Sequence, residues 1–236
     1  MSASPTLRAV AWDVDGTLAD SEPLHAAALQ AVCAGCGVDL DDVAADAFVG
    51  VSITDVWRTI GRRFGAALGS DAAAREAAFY AAVCDSYVAR LADLRPRPGA
   101  REAVRWLERR GIAQCAVSNS HARIVHANLK ALGLAESLRF SLSLEEVEAP
   151  KPAPAPYRQA CERLALRPAQ VAAVEDSESG LASAVAAGLV ALFVGPAAPA
   201  RRPLIVQRLT TLVDLPAWWE RQAGMRFDSL PSGAAT

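Results

Sequence analysis

Short apolar runs alternate with stretches of helical spacing along this chain. The first run, Leu7–Trp12, predicts a buried strand that ends at Asp13. Helical spacing of i, i+3, i+4 and i+7 is clearest between Tyr157 and Leu164. Strands and helices that alternate in this way predict an α/β fold, a Rossmann-like doubly wound parallel sheet with helices on both faces. The predicted strands are residues 7–12, 112–117, 140–142, 171–174 and 189–194.

The stretch from 19 to 95 departs from this alternation. It contains helical patterns at 23–34, 52–64 and 71–94 and no convincing strand, and it ends at the Pro/Gly break 95–99. An insertion of this kind after the first strand predicts a helical cap over the sheet. We therefore expect a core domain made of residues 1–18 and 96–236 and an inserted α-helical cap domain made of residues 19–95.

Polar side chains follow three of the predicted strands. Asp13 and Asp15 follow the first, Ser118 and Asn119 follow the strand at 112–117, and Glu175-Asp176 follows the strand at 171–174. Ligands of parallel α/β sheets bind beyond the carboxyl ends of the strands. The pattern therefore predicts that these three groups meet in one site.

The paired acids suggest a cation. Two carboxylates on one turn are costly to ionise together unless a positive charge compensates them. Mg²⁺ fits, since it binds a few carboxylates and keeps positions open for phosphate oxygens. An Asx turn closed by Gly16 is the structural alternative for Asp13 and Asp15, and an ordinary helix cap is the alternative for Ser118 and Asn119.

Lys151 is one of two lysines in the chain, beside 22 arginines, and it lies between Pro150 and Pro152. The prolines restrict this segment to an extended conformation ahead of the next helix. An ammonium held there could neutralise a phosphoryl oxygen and a carboxylate together. The alternative is a solvated loop lysine.

Composition narrows the classes of partner. Lys and Arg total 24 and Asp and Glu total 26, so the net charge of −2 argues against a nucleic-acid or membrane-binding surface. Five scattered cysteines do not form a disulfide framework, and the Cys33–Cys36 CxxC is interpreted as structural rather than as a redox or zinc site. Without an apolar signal segment, and with glycines interrupting the uncharged stretch 179–200, the chain is predicted to be cytoplasmic.

Four segments in order resemble the motifs of the haloacid dehalogenase-like hydrolase superfamily. They are DVDGTLADSE, SNS, the Lys-Pro pair at 151–152 and VEDSESG, and the resemblance covers residues 7–195. The insertion resembles that of the helical-cap subgroup, which includes phosphoglycolate phosphatases, sugar-phosphate phosphatases and β-phosphoglucomutase.

The resemblance implies a role for each motif residue. Asp13 would be the nucleophile that forms an aspartyl-phosphate, and Asp15 the general acid and then base. Ser118 and Asn119 would bind the phosphoryl group, and Lys151 would hold both that group and Asp13. Mg²⁺ would be bound by the carboxylates of Asp13 and Asp176, the backbone carbonyl of Asp15, and Glu175 directly or through water.

The expected function is a Mg²⁺-dependent phosphatase of small phosphorylated metabolites, sugar or sugar-acid phosphates, acting as a monomer or weak dimer. A phosphomutase is the alternative. The mutase family usually has Arg where this chain has Ile53, although Arg58, Arg62 and Arg63 could compensate. A phosphate-binding or phospho-accepting module without turnover is the third possibility.

His25, Trp218 and Trp219 lie outside the four motifs. His25 could position Asp15 or a substrate, but a half-buried packing histidine is the preferred interpretation. Trp218 and Trp219 are interpreted as packing or surface residues.

Overall fold

The computed structural model describes residues 6–44, 47–48, 51–69, 71–195 and 207–224. The strands are β1 Ala9–Trp12, β2 Ala19–Asp20, β3 Arg95–Pro96, β4 Ala113–Val117, β5 Ser141–Leu142, β6 Val171–Glu175, β7 Val190–Val194 and β8 Gln207–Leu209. The helices are α1 Glu22–Gly35, α2 Ile53–Ile60, α3 Ala72–Val88, α4 Ala100–Glu108, α5 Ala122–Ala131, α6 Ala155–Leu164, α7 Glu178–Ala187 and α8 Leu215–Gly224.

Six strands form one parallel sheet in the order β5-β4-β1-β6-β7-β8, which confirms the predicted α/β fold. Trp12 at the end of β1 is in register with Ala116 of β4 and Val174 of β6. The polar residues that follow these three strands therefore leave the same edge of the sheet. Strand β1 is completely buried, as its apolar run predicts.

Two features of the chain were not predicted. β8 joins the sheet as a sixth strand, although Gln207-Arg208 breaks any apolar run and only Leu209 of the three is buried. β2 and β3 pair as an antiparallel ribbon of two residues each, too short to produce a hydrophobic pattern. The ribbon pairs Ala19 with Pro96, at the predicted junctions between core and cap.

Helices α1, α2 and α3 lie between the two strands of this ribbon in the sequence. Helix α2 begins at a side-chain cap, because Ser52 accepts a hydrogen bond from the backbone of Asp55. It ends at Ile60 and continues as a 3₁₀ turn to Phe64, rather than as the single predicted helix. The ring of Trp57 packs where a side chain on Gly61 would lie.

The helices of the predicted cap pack on the sheet through one hydrophobic cluster, which includes Phe79 and Tyr87 of α3 and Trp12 of β1. Trp218 and Trp219 of α8 are buried in the same cluster, so both are packing residues. Cys33 is also buried there, and burial raises the pKa of its thiol to about 11. Within the described ranges, no helix combines the length and apolarity needed to cross a bilayer.

Candidate active site

The three strand ends and the Lys151 loop meet at one cavity of about 560 Å³ between the sheet and the cap. Its lining includes Asp13, Asp15, Ser118, Lys151 and Asp176. The sequence prediction that these residues come together is therefore correct. The volume is within the range of roughly 300–1,000 Å³ that is usual for small-molecule sites.

Two glycines allow the acids to approach the backbone. Gly16 has φ of 81°, and a Cβ at this position would overlap the carboxylate of Asp176. A Cβ on Gly180 of α7 would overlap the carboxylate of Glu175 in the same way. The glycines of the first and last motifs thus make room for the acids of β6, which the Asx-turn alternative for Asp13 and Asp15 does not explain.

Lys151 is buried among the acids. Its Nζ donates to Asp13 Oδ1 at 2.8 Å and to Glu175 Oε1 at 2.5 Å, and it also donates to the carbonyl oxygen of Val117. Although burial opposes the charge, the two carboxylates outweigh it and raise the pKa of Lys151. The ammonium is permanently charged and fixed, which rules out the solvated-loop alternative.

Asn119 lines the cavity and also fixes the Lys151 loop. Its Nδ2 donates to the carbonyl oxygen of Lys151 at 3.0 Å, and its Oδ1 accepts from the Lys151 backbone nitrogen at 2.9 Å. The side-chain amide predicted to bind phosphate thus gives its oxygen and one N–H to the backbone of Lys151 and keeps a second N–H. Asn119 acts here by placing the ammonium, and Ser118 is the residue of the pair whose hydroxyl faces the acids.

Three carboxylates form a group that could hold a metal ion. One oxygen each from Asp13, Glu175 and Asp176 lies within 4.8 Å of the others. Asp13 Oδ2 is buried and has no hydrogen-bond partner. Burial and the neighbouring Glu175 raise the pKa of Asp13 and bring that of Asp176 to about 7. An oxygen-rich group with an unpartnered anionic oxygen fits Mg²⁺, which would relieve this repulsion.

Asp15 faces away from that group. Its carboxylate accepts from Ser118 Oγ at 3.2 Å and from Asn128 Nδ2 at 3.1 Å, and its Oδ1 lies 3.2 Å from His25 Nε2. Burial acts to raise the pKa of Asp15, but the hydrogen bond and charge of His25 hold it at about 2. Asp15 in turn raises the pKa of His25. The side chain of Asp15 is therefore ionised and is not part of the three-acid group, which leaves its predicted metal contact to the backbone carbonyl.

His25 and Asn128 connect the cap to Asp15. His25 is half-buried on α1, as the preferred packing interpretation holds, and its ring packs at a tilt against Tyr87 of α3, with the centroids 4.6 Å apart. It is more than a packing residue, because its Nε2 also contacts Asp15. The Tyr87 hydroxyl donates to Asn128 Oδ1 at 2.9 Å. Sequence analysis missed Asn128, although a signal was present: it occupies a buried position of α5 beside Leu129, where an apolar residue is expected.

The raised pKa values of Asp176 and His25 predict how the free energy of unfolding depends on pH in metal-free protein. Asp176 retains its proton to about pH 7 when folded but loses it near pH 4 when unfolded. The folded state therefore binds more protons between these values, so the free energy of unfolding falls as pH rises from 5 to 8. The raised pKa of His25 acts in the same direction above pH 6.5. Denaturant unfolding in chelator would measure this fall, and Mg²⁺ at pH 8 is expected to reverse it.

Asp176→Asn is the matched variant, and it should weaken the response to Mg²⁺ and lose the part of the pH dependence that Asp176 supplies, while Asp13 and His25 keep theirs. A free energy of unfolding that stays flat or rises from pH 5 to pH 8 in chelator would contradict this electrostatic account.

Comparison with known proteins agrees with this site. A family model described as haloacid dehalogenase-like hydrolase matches residues 7–188. The chain belongs to this family. It is 30% identical over 185 residues to the fructose-1-phosphate phosphatase YqaB of Escherichia coli, covering 78% of this chain and 94% of that protein. It is 29% identical over 190 residues to a phosphoglycolate phosphatase of Neisseria meningitidis, covering 80% of each.

Solved structures show the same architecture. CbbY of Rhodobacter sphaeroides in complex with phosphate superposes with a TM-score of 0.76 at 26% identity, covering 89% of this chain and 96% of that chain. A variant of CbbY has been solved with xylulose-(1,5)bisphosphate. This haloacid dehalogenase-like hydrolase is a phosphoric monoester hydrolase, as the family and its phosphatase members establish.

Proposed function

We propose that this haloacid dehalogenase-like hydrolase is a Mg²⁺-dependent phosphatase of small phosphorylated metabolites and that it acts through an aspartyl-phosphate on Asp13. The observation that carries the proposal is the position of Asp13. It lies at the cavity between a fixed ammonium, Lys151, and an acid with a different environment, Asp15. Two carboxylates held in such different environments can divide nucleophilic and proton-transfer roles.

In the first step, a carboxylate oxygen of Asp13 attacks the phosphorus of the ester, and the bond from phosphorus to the alcohol oxygen breaks. Lys151 offsets charge on the phosphoryl oxygens while keeping Asp13 oriented. The departing oxygen takes its proton from the Asp15–His25 pair, which carries one proton between its two groups across a 3.2 Å contact.

In the second step, a water molecule attacks the phosphorus of the aspartyl-phosphate, and the bond to the Asp13 oxygen breaks. Asp15 accepts the proton of that water and passes it to His25, which returns the pair to its starting state. The products are inorganic phosphate and a free Asp13 carboxylate. Ser118 is close enough to Asp15 to hold the carboxylate in place through both steps.

Asp13 and Asp176 would hold Mg²⁺, with the backbone carbonyl of Asp15 and with Glu175 directly or through water. When bound, the ion supplies positive charge for the phosphoryl oxygens and allows the acids to be ionised together. Glu175 accepts from Lys151 and from the Tyr157 hydroxyl. These contacts orient its carboxylate beside the other two.

Asp15→Asn tests the division of roles. We expect kcat to fall by roughly 10²–10⁴ for esters of ordinary alcohols, the usual contribution of general acid–base catalysis. With acetyl phosphate, whose leaving group needs no proton, the first step should keep most of its rate while the second step slows. Rapid-mixing kinetics on both substrates would separate the steps, and equal losses in the first step for both substrates would remove Asp15 from the acid role.

The three arginines that could compensate for Ile53 in a mutase do not reach the cavity. Ile53 lines the cavity, whereas Arg58, Arg62 and Arg63 do not. Arg58 pairs with Asp55, and Arg63 pairs with Asp42, on the exposed side of the cap. None of the three arginines therefore contributes to the lining of the cavity, where a sugar bisphosphate would bind.

Phosphate release from a panel of sugar and small-acid phosphates tests the proposed function. The release is expected to require Mg²⁺ and to stop in chelator. Conversion of glucose 1-phosphate to glucose 6-phosphate without phosphate release would instead establish the mutase. Failure of a folded protein in both assays would favour the phosphate-binding module.

A further inference from the structure

Apolar side chains line much of the cap side of the cavity, beside polar ones that include Gln30, Asp41 and Ser52. Leu29 of α1, Val56 of α2 and Val83 of α3 line it and are buried, while Phe48 and Ile53 line it and are half-buried. A surface of this kind offers contact area and few hydrogen bonds. It therefore suits a part of the substrate that is itself at least partly apolar.

The ionisable side chains that line the cavity are mostly acidic. Among the lining residues that the structure describes, Lys151 is the only lysine or arginine, and its ammonium already has three partners. The two lining histidines are each paired with a carboxylate, His25 with Asp15 and His121 with Glu145. The acids that line the cavity are Asp13, Asp15, Glu22, Asp41 and Asp176.

The residues that flank Phe48 in the sequence add no cation that could pair with a second anionic group of a substrate. Residues 45–46 and 49–50, which lie outside the described ranges, contain no Lys, Arg or His. Burying a carboxylate or a second phosphate against apolar side chains costs free energy unless a cation pairs with it. Glu22 and Asp41, the lining acids outside the proposed phosphate and metal site, offer no attraction for a second anion, which disfavours such substrates.

We propose that the substrate is a phosphate monoester with a single anionic group, whose alcohol part is uncharged and has an apolar face. This proposal rests on the proposed phosphatase function and narrows its substrate class. It places phosphorylated acids and bisphosphates outside the preferred range, although relatives include a phosphoglycolate phosphatase and a protein solved with a bisphosphate.

Four esters of one five-carbon chain test the proposal, because they share the reacting end and differ only at the far end. They are pentyl phosphate, 5-hydroxypentyl phosphate, 5-phosphonooxypentanoate and pentane-1,5-diyl bisphosphate. We expect kcat/KM for the first two to exceed that for the last two by at least tenfold. Equal values, or a preference for the anionic pair, would overturn the proposal.

A basic residue added to the cap should reverse the preference. Ile53→Arg is expected to raise kcat/KM for the anionic esters, relative to pentyl phosphate, by at least tenfold. Val51→Lys is a second variant at an exposed lining position, in case the first disturbs α2. Val213→Lys adds the same charge at an exposed residue that does not line the cavity, and it should leave the ratio unchanged.

Acetyl phosphate separates this proposal from the proposed function, because it has no distal group for the cap to select. If phosphate is released from acetyl phosphate but the esters with an uncharged far end are not preferred over the anionic pair, the proposed substrate class is refuted and the proposed phosphatase function stands. Failure of acetyl phosphate, of all four esters and of the sugar and small-acid phosphates would refute the proposed phosphatase itself. If Val213→Lys raises kcat/KM for the anionic esters, relative to pentyl phosphate, as strongly as Ile53→Arg does, the effect is one of overall charge. That outcome would also refute the substrate class.

Discussion

Asp13→Asn is expected to abolish turnover, with kcat reduced by at least about 10⁴-fold, as is typical when a covalent nucleophile is removed. The amide cannot attack phosphorus, and no neighbouring acid can replace Asp13. Asp176 and Glu175 follow another strand, and Asp15 is turned toward Ser118 and Asn128. Steady-state phosphate release at saturating Mg²⁺ would measure the loss.

The same variant should fold at least as well as the wild-type protein. Burial and the neighbouring acids raise the pKa of Asp13, so its charge opposes folding at neutral pH. Asn removes that charge and keeps an oxygen that can accept from Lys151. Asp93→Asn makes the same chemical change at an exposed residue and should keep full activity. Loss of activity together with a lower thermal midpoint would point to misfolding instead of a missing nucleophile.

Lys151→Met is expected to cost about 3–5 kcal/mol of folding free energy, because it leaves buried carboxylates without their cation. Glu175 is fully buried and Asp13 nearly so. For a chain of this size, the thermal midpoint should fall by roughly 10 °C. Phosphate release should also fall by at least about a hundredfold, since a preorganised positive charge at the phosphoryl group is lost. Calorimetry in chelator would isolate the effect on folding.

A second substitution identifies the cause of that instability. In the double variant Lys151→Met with Glu175→Gln, the fully buried carboxylate is replaced by a neutral amide, whose oxygen can still accept from Tyr157, and only Asp13 keeps a charge that Lys151 had paired. We expect at least half of the lost stability to return while activity stays low. Lys130→Met replaces the only other lysine, which is exposed, and should change neither property. A double variant as unstable as Lys151→Met would show that the stabilisation comes from packing rather than charge.

The sheet and the strand-end acids were predictable because they depend on local pattern. An apolar run such as Leu7–Trp12 indicates a buried strand, and the parallel arrangement brings its carboxyl end beside those of β4 and β6. The position of Lys151 between prolines indicated a fixed side chain. The same reasoning could not find β8 or the β2–β3 ribbon, which pair through backbone hydrogen bonds with almost no apolar residues.

The residues that hold Lys151 and Asp15 in place were less predictable, because they act through contacts between distant segments of the chain. Asn119 bonds to the backbone of Lys151, 32 residues away, and no local signal distinguishes that contact from a phosphate contact. The link from Tyr87 through Asn128 to Asp15 requires α3 of the cap to pack on α5 of the core. Only the packed structure shows that a helix of the predicted cap helps to orient Asp15.

Intact-mass measurement of a trapped intermediate tests the central claim most directly. Asp15→Asn protein would be mixed with acetyl phosphate and Mg²⁺ and quenched in acid, because this variant should form the aspartyl-phosphate but hydrolyse it slowly. The account predicts a mass increase of one phosphoryl group, located on the peptide that contains Asp13 and absent when Asp13 is also changed to Asn. Phosphate release by the wild-type protein, with no phosphorylated peptide in the variant or with phosphate on another residue, would contradict it.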